Sequence, residues 1–188
     1  MIGRRAAVAL FAQILVVPAM AQPADQKPAS PPAAAAPAAT EPQTTTATYG
    51  DWVLRCVHTG DSASTTKICE VAETIRGGQN QAPMAEIALG RFNKVDPLRI
   101  TAHLPSNISL PSVVKISYRE AHGVELNWRR CAPVGCFADA ALTDAETNII
   151  QIQTEPGAIE FYNADGHSIR LPMSFKGLGQ ALDALMKE

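Results

Sequence analysis

The chain has 188 residues, with 16 lysines and arginines against 18 aspartates and glutamates, and a formal net charge of −2. The first 21 residues contain two arginines and no acid, so the remainder carries 14 basic and 18 acidic side chains, a balance of −4. This acidic balance argues against a nucleic-acid-binding protein and against a protein that binds anionic membrane surfaces.

The N-terminus has the three parts of a bacterial secretory signal peptide. Arg4 and Arg5 form a positive segment, residues 6–17 form an apolar run, and "AMA" at 19–21 has the small residues of a cleavage site. The run is shorter than the roughly 20 residues that a transmembrane helix needs. We therefore predict a signal peptide at 1–21 and a periplasmic, secreted or cell-surface protein, whose membrane contact is limited to the signal peptide before cleavage.

Residues 22–47 are rich in alanine, proline and threonine and contain almost no large apolar side chain. Such a segment buries too little surface to offset its ordering entropy, so we predict a disordered linker at 22–47. The remaining residues, 48–188, have the length of one ordinary domain.

Alternation of apolar and polar residues with a period of two recurs along this domain and predicts β-strands that are buried on one face. Turn sequences such as "EAHG" at 120–123 and "NADG" at 163–166 separate the runs. Many short strands with frequent turns indicate an antiparallel sandwich or barrel. The alternating runs lie at 98–104, 114–119, 124–129, 159–162 and 168–171.

Two segments have helical patterns instead. Thr143 and Glu146 form a capping-box pattern for a short helix near 143–150. Leucine and alanine recur at helical spacing near 175–187, where Ser174 is a candidate N-cap. We expect the apolar face of this C-terminal helix to pack on the sheet.

The four cysteines are Cys56, Cys69, Cys131 and Cys136. An even number of cysteines in an exported chain favours disulfides. Three connectivities are open, and the simplest is the local one, in which Cys56 pairs with Cys69 and Cys131 with Cys136.

The segment "WRRCAPVGC" at 128–136 also resembles metal or redox motifs. A zinc site needs a second ligand pair at similar spacing, but twelve residues separate Cys56 from Cys69. A thioredoxin-like motif has two intervening residues, and Cys131 and Cys136 have four. We expect no metal and no cofactor, and keep a redox or metal-binding protein using Cys131 and Cys136 as the alternative. The histidines are scattered, at His58, His103, His122 and His167.

The sequence contains no nucleophile elbow, zinc-protease motif, phosphate-binding loop or dinucleotide fingerprint. We therefore predict a protein that is not an enzyme. A candidate interaction site is formed by Trp128, Arg129, Arg130 and Phe137, because aromatic residues and arginines are enriched at binding hot spots. Trp128 also fits the apolar face of its strand, which would make it a core residue.

Several motifs occur together in a characteristic order. They are "YGDWVLRC" at 49–56, a cysteine at 69, "ISLPSVVKISY" at 108–118, "WRRCAPVGCFADAAL" at 128–142 and "IRLPMSFKGLGQALDAL" at 169–185. In this set and order, the chain resembles the invasion associated locus B family of exported alphaproteobacterial proteins.

The resemblance implies an immunoglobulin-like β-sandwich over 48–188, a periplasmic or surface location, and no known enzymatic activity. It also implies an association with virulence, since the founding member is linked to invasion of host cells. We expect a non-catalytic binding protein that acts in host-cell invasion or in the envelope. Its partner would be a protein or an envelope component, and not a nucleic acid.

Overall fold

The structure is a computed structural model that describes residues 44–61, 64–77, 79–119 and 122–188. The predicted signal peptide and residues 22–43 of the predicted linker lie outside the described residues. The last four residues of that predicted linker, 44–47, belong instead to a strand at Thr44–Tyr49. Their threonines have high strand propensity, and the segment pairs along its whole length with the next strand.

The described part of the chain forms ten strands and two helices. The strands are β1 (Thr44–Tyr49), β2 (Trp52–Asp61), β3 (Ser64–Gly77), β4 (Ala82–Gly90), β5 (Arg99–Leu104), β6 (Val114–Arg119), β7 (His122–Ala132), β8 (Gly135–Ala141), β9 (Gly157–Tyr162) and β10 (Ser168–Met173), and the helices are α1 (Asp144–Gln151) and α2 (Leu178–Leu185).

All strand pairs are antiparallel, and the strands follow the order β1-β2-β3-β4-β5-β8-β7-β6-β9-β10. The predicted mainly β, antiparallel architecture is thus confirmed. The strands form one continuous hydrogen-bonded sheet, because β7 pairs with both β6 and β8. The immunoglobulin-like sandwich of two separate sheets stays a prediction.

Alternating burial along the strands follows the alternating sequence. In β5, Ile100, Ala102 and Leu104 are at most 2% exposed, while the neighbouring Thr101 and His103 face outward. The inward residues of the strands from β2 to β10 belong to one hydrophobic core. Helix α2 closes part of this core with four buried residues, which are Leu178, Ala181, Leu182 and Leu185.

Helix α1 begins as the sequence predicts. The Thr143 hydroxyl accepts from the Glu146 amide at 3.2 Å, and the Glu146 carboxylate accepts from the Thr143 amide at 2.8 Å. The helix itself runs from Asp144 to Gln151, within one residue of the predicted span. The reciprocal bonds satisfy two amides that the first turn leaves without helical partners.

Helix α2 is shorter than the predicted span of 175–187, and its N-cap is Gly177 rather than Ser174. Gly177 has a φ of 88°, a left-handed conformation that glycine adopts without steric cost. Ser174 instead forms a local turn, in which its hydroxyl accepts from the Lys176 amide at 3.1 Å. The helix starts late because Ser174 is bound to the beginning of the sheet.

These contacts form a seam that joins the β10–α2 connection to β2 and β3. The Trp52 indole donates to the Ser174 carbonyl at 3.0 Å, and the Ser174 amide donates to the two Glu73 carboxylate oxygens at 3.0 and 3.2 Å. The Ser174 hydroxyl donates to Asp51 at 2.7 Å, and the Asp51 amide donates to the Lys176 carbonyl at 3.1 Å. The seam therefore links segments more than 100 residues apart in sequence.

Candidate functional site

The hairpin of β7 and β8 carries the predicted interaction residues and one cysteine pair. Residues 133–134 form its turn, and Cys131 lies directly opposite Cys136 with a Cα–Cα distance of 4.0 Å. Cys136 is 1% exposed, whereas Cys131 is at the surface. The disulfide therefore fastens the end of the hairpin across its two strands.

Gly135 allows this hairpin end to lie close to β5. It has a φ of 137°, and a side chain there would meet the Leu104 carbonyl and the His103 ring. The His103 ring donates from Nε2 to the Val134 carbonyl at 2.9 Å. The turn is thus held to the neighbouring strand as well as by the disulfide.

A β-bulge in β7 directs two consecutive arginines to the same side of the sheet. Trp128 lies opposite Ala138 and Arg130 lies opposite Phe137, so Arg129 is the extra residue between them. In a regular strand adjacent side chains point to opposite faces, whereas a bulge can redirect one of them. Both guanidinium groups contact outward-facing residues of β8.

Arg130 completes a row of stacked side chains across three strands. The His103 and Phe137 rings are parallel within 3°, with centroids 4.5 Å apart. The Arg130 guanidinium carbon lies 5.0 Å from the Phe137 centroid, within the range of a cation–π interaction. These three residues are paired neighbours on β5, β8 and β7, so the sheet itself sets their spacing.

Arg129 shares an acceptor with a second arginine. Its Nε lies 2.7 Å from Asp139 Oδ1, and Arg99 bonds the same oxygen from β5. Asp139 is 19% exposed and Arg129 is 55% exposed at the side chain. One carboxylate thus serves two guanidinium groups and leaves excess positive charge at the surface.

We call this group the arginine patch, and it contains three arginines and one aspartate. The local charge is positive, although the whole chain has a net charge of −2. The members of the patch are Arg99, His103, Arg129, Arg130, Phe137 and Asp139.

The structure brings three of the four predicted interaction residues together and separates the fourth. Arg129, Arg130 and Phe137 belong to the arginine patch. Trp128 packs against the hydrophobic core, and its indole donates to the Ser112 carbonyl at 2.6 Å. Trp128 therefore supports the hairpin from the inner face and is not part of the outer surface.

Sequence reasoning missed Arg99, His103 and Asp139. Their outward orientation could be read from alternation in β5 and β8, but their neighbours depend on the pairing of β5 with β8. Those strands are separated in the chain by β6 and β7. No local sequence pattern indicates this pairing.

The other cysteine pair joins β2 to β3, and Cys69 borders a groove that Arg99 and Asp139 also line. Cys56 and Cys69 face each other on β2 and β3, with a Cα–Cα distance of 4.0 Å, and are 1% and 9% exposed. Glu188 lies close enough to complete a group of three potential metal ligands. Both sulfurs are bonded to each other, however, so they do not offer thiolate ligands.

Among the residues that the structure describes, none of the helices is long and apolar enough to cross a membrane.

Comparison with known proteins identifies one matching family and one similar crystal structure among its results. The sequence model of the family described as invasion associated locus B (IalB) protein matches residues 52–186. The crystal structure of invasion associated protein b from Bartonella henselae is similar, with a TM-score of 0.63 and 18% identity over 76% of this chain and 96% of that chain. A search of curated proteins found no match. Because the family model covers more than half of the chain, the protein belongs to the invasion associated locus B family.

Proposed function

We propose that the protein is an exported, non-catalytic binding protein of the periplasm or cell surface. Its partner is a protein or another envelope component that docks on the arginine patch. The N-terminal signal sequence supports export, and two cysteine pairs at disulfide distance fit an oxidising compartment. The sequence contains no catalytic motif that would support an enzymatic function instead.

The observation that carries this proposal is the set of contacts that hold the arginine patch in place. The hairpin that carries Arg129 and Arg130 is held by the Cys131–Cys136 disulfide and by the hydrogen bond from His103 to Val134. Gly135, with its positive φ, allows the hairpin to lie close to β5. Pre-organised side chains lose less conformational entropy on binding. Arginine and aromatic residues are also those that most often dominate binding energy.

A shallow groove next to the patch provides room for a side chain of the partner. It has a volume of about 120 Å³, and its lining includes Gly90, Phe92, Arg99 and Asp139. Phe92 is 72% exposed. An exposed aromatic beside Arg99, which Asp139 holds in place, fits a partner that carries both acidic and apolar groups.

The double substitution Arg129→Ala and Arg130→Ala tests the proposal. We expect it to weaken recovery of the partner from crosslinked envelopes roughly tenfold or more, because it removes two exposed guanidinium groups from the site. The measurement compares bound partner by quantitative mass spectrometry between wild-type and variant proteins.

The control is Lys115→Ala with Arg170→Ala, which removes the same charge from exposed positions outside the patch. It should recover as much partner as the wild type. Equal recovery by both double variants would remove the patch from the proposal, and repeated failure to recover any partner would argue against a binding function.

Host-cell invasion is one setting for such a protein. The structural neighbour from Bartonella henselae is named as invasion associated. At 18% identity the similarity supports a shared fold, but it does not support a shared role. We propose an envelope function in the producing bacterium as the general case, with host-cell invasion as its specialised form. A deletion strain that loses envelope integrity without contact with host cells would support the general case.

The exposure of Cys131 favours redox chemistry as the second candidate function. We expect mild reductant to open the Cys131–Cys136 bond before the Cys56–Cys69 bond, because Cys131 is at the surface while Cys56 and Cys69 are at most 9% exposed. Differential alkylation followed by mass spectrometry measures the order. Simultaneous reduction of the two bonds would count against the redox candidate, and metal analysis of the same samples tests the metal-binding form.

A further inference from the structure

Strand β1 is an edge strand that gains little from its own chain. Its burial pattern shows five exposed residues followed by Tyr49, which is half-buried and is the residue of β1 that packs against the core. Among the strands of the described residues it pairs with β2 alone, over six residues. It lies immediately before residues 52–186, which match the family model.

The register shows which backbone groups of β1 face the open edge. Cys56 and Cys69 lie opposite each other at a Cα–Cα distance of 4.0 Å, which identifies a pair that exchanges no backbone hydrogen bonds. The amide and carbonyl of Cys56 therefore point toward β1, where its partner is Thr45. Because bonding alternates along a strand, Thr45, Ala47 and Tyr49 bond β2.

The backbone groups of Thr44, Thr46 and Thr48 consequently point away from β2 to the open edge. This edge lacks the residues that normally prevent strand addition, because Thr44–Tyr49 contains no proline and no charged side chain. The opposite edge of the sheet is different. Strand β10 carries Arg170 and Pro172, which both disfavour pairing with another strand.

We propose that β1 pairs antiparallel with β1 of a second copy of this chain, around a two-fold axis at Thr46. Thr46 of one copy then lies opposite Thr46 of the other, and Thr44 lies opposite Thr48. Every outward amide and carbonyl finds a partner, and the facing side chains are uncharged threonines. A symmetric dimer needs such self-complementarity, and threonine pairs are favourable across strands.

The conformational entropy lost when β1 becomes ordered gives a second reason for pairing with another copy of the chain. Fixing six residues costs conformational entropy, which burial of side chains normally offsets. In β1 that burial is confined to Tyr49, and the hydrogen bonds to β2 use only one of the two edges of the strand. A second copy supplies the missing edge, and the sheet becomes continuous across the dimer. The contact is small, so we expect a reversible dimer rather than an obligate one.

The test compares Thr46→Pro with Thr46→Val in the full chain, by sedimentation analysis over a range of protein concentrations. Proline removes the outward amide that forms two symmetric bonds at the axis, and an edge strand tolerates proline where its N–H faces outward. We expect Thr46→Pro to weaken dimerisation at least about tenfold. Thr46→Val keeps the amide and should dimerise like the wild type.

Hydrogen exchange keeps the test independent of folding defects. In the wild type, the amides of Thr44, Thr46 and Thr48 should become protected as the protein concentration rises. The amides of Thr45, Ala47 and Tyr49 should be protected at every concentration, and also in the Thr46→Pro variant. A monomer at all concentrations overturns the proposal, as does a dimer in which the outward amides exchange freely. A monomer whose outward amides become protected only when envelope extract is added would replace the second copy with a foreign strand.

Discussion

We expect the free energy of unfolding of the wild-type protein to fall by about 2 kcal/mol as the pH rises from about 5 to about 8. In the Glu73→Gln variant this decrease should be absent. Glu73 is 7% exposed, and burial raises its pKa from 4.5 to about 7. The nearby Asp51 charge raises the pKa further, while the hydrogen bond from the Ser174 amide lowers it.

The direction follows from where the proton is held. In the unfolded chain Glu73 loses its proton near pH 4.5, but in the folded protein it keeps the proton until about pH 7. The folded state is therefore favoured most at low pH, and this contribution is lost as the pH rises through about 7. The full shift corresponds to about 3 kcal/mol, and we expect about 2 because the site opens toward exposed Asp51 and is partly screened by water.

Glutamine resembles the protonated side chain and can still accept from the Ser174 amide. The free energy of unfolding, measured in urea at a series of pH values, should be higher for Glu73→Gln than for the wild type at pH 8 and similar at pH 5. Glu125→Gln is the control, since it removes an exposed carboxylate from β7. A Glu73→Gln profile that parallels the wild-type profile would show that Glu73 does not hold the proton.

Local patterns in the sequence predict elements whose residues depend on near neighbours. Alternation in β5 and the capping box at Thr143 both involve residues within a few positions, and both appear in the structure. The same alternation carries a signal about Glu73. Val71, Glu73 and Ile75 share one face of β3, and all three are buried. Alternation alone therefore places the Glu73 carboxylate on the core side, without knowledge of its partner Ser174.

Features that depend on strand pairing could not be predicted in this way. The bulge at Arg129 changes which side of the sheet the side chain faces, and it is defined by register against β8. The late start of α2 at Leu178 depends on contacts from Ser174 to β2 and β3. In both cases the contact that determines the local structure is made with another strand. The residues on either side therefore do not predict it.

The largest single-residue effect on the seam should come from Gly177→Ala. Gly177 has a φ of 88°, and a Cβ there would meet the backbone carbonyl of Tyr49. The left-handed conformation costs a non-glycine residue about 1–2 kcal/mol, and overpacking in a tight contact costs about 1–3 kcal/mol more. We therefore expect the variant to lose about 3 kcal/mol or more of stability in urea unfolding.

Gly166→Ala separates these two costs. Gly166 has a similar φ of 80°, but a Cβ there meets nothing within 4 Å. Its variant should lose only about 1–2 kcal/mol, from the backbone conformation alone. The difference between the two variants measures how closely the β1–β2 turn approaches the start of α2. If both alanines cost the same, the chain can relax at Tyr49, and the seam is looser than its hydrogen bonds indicate.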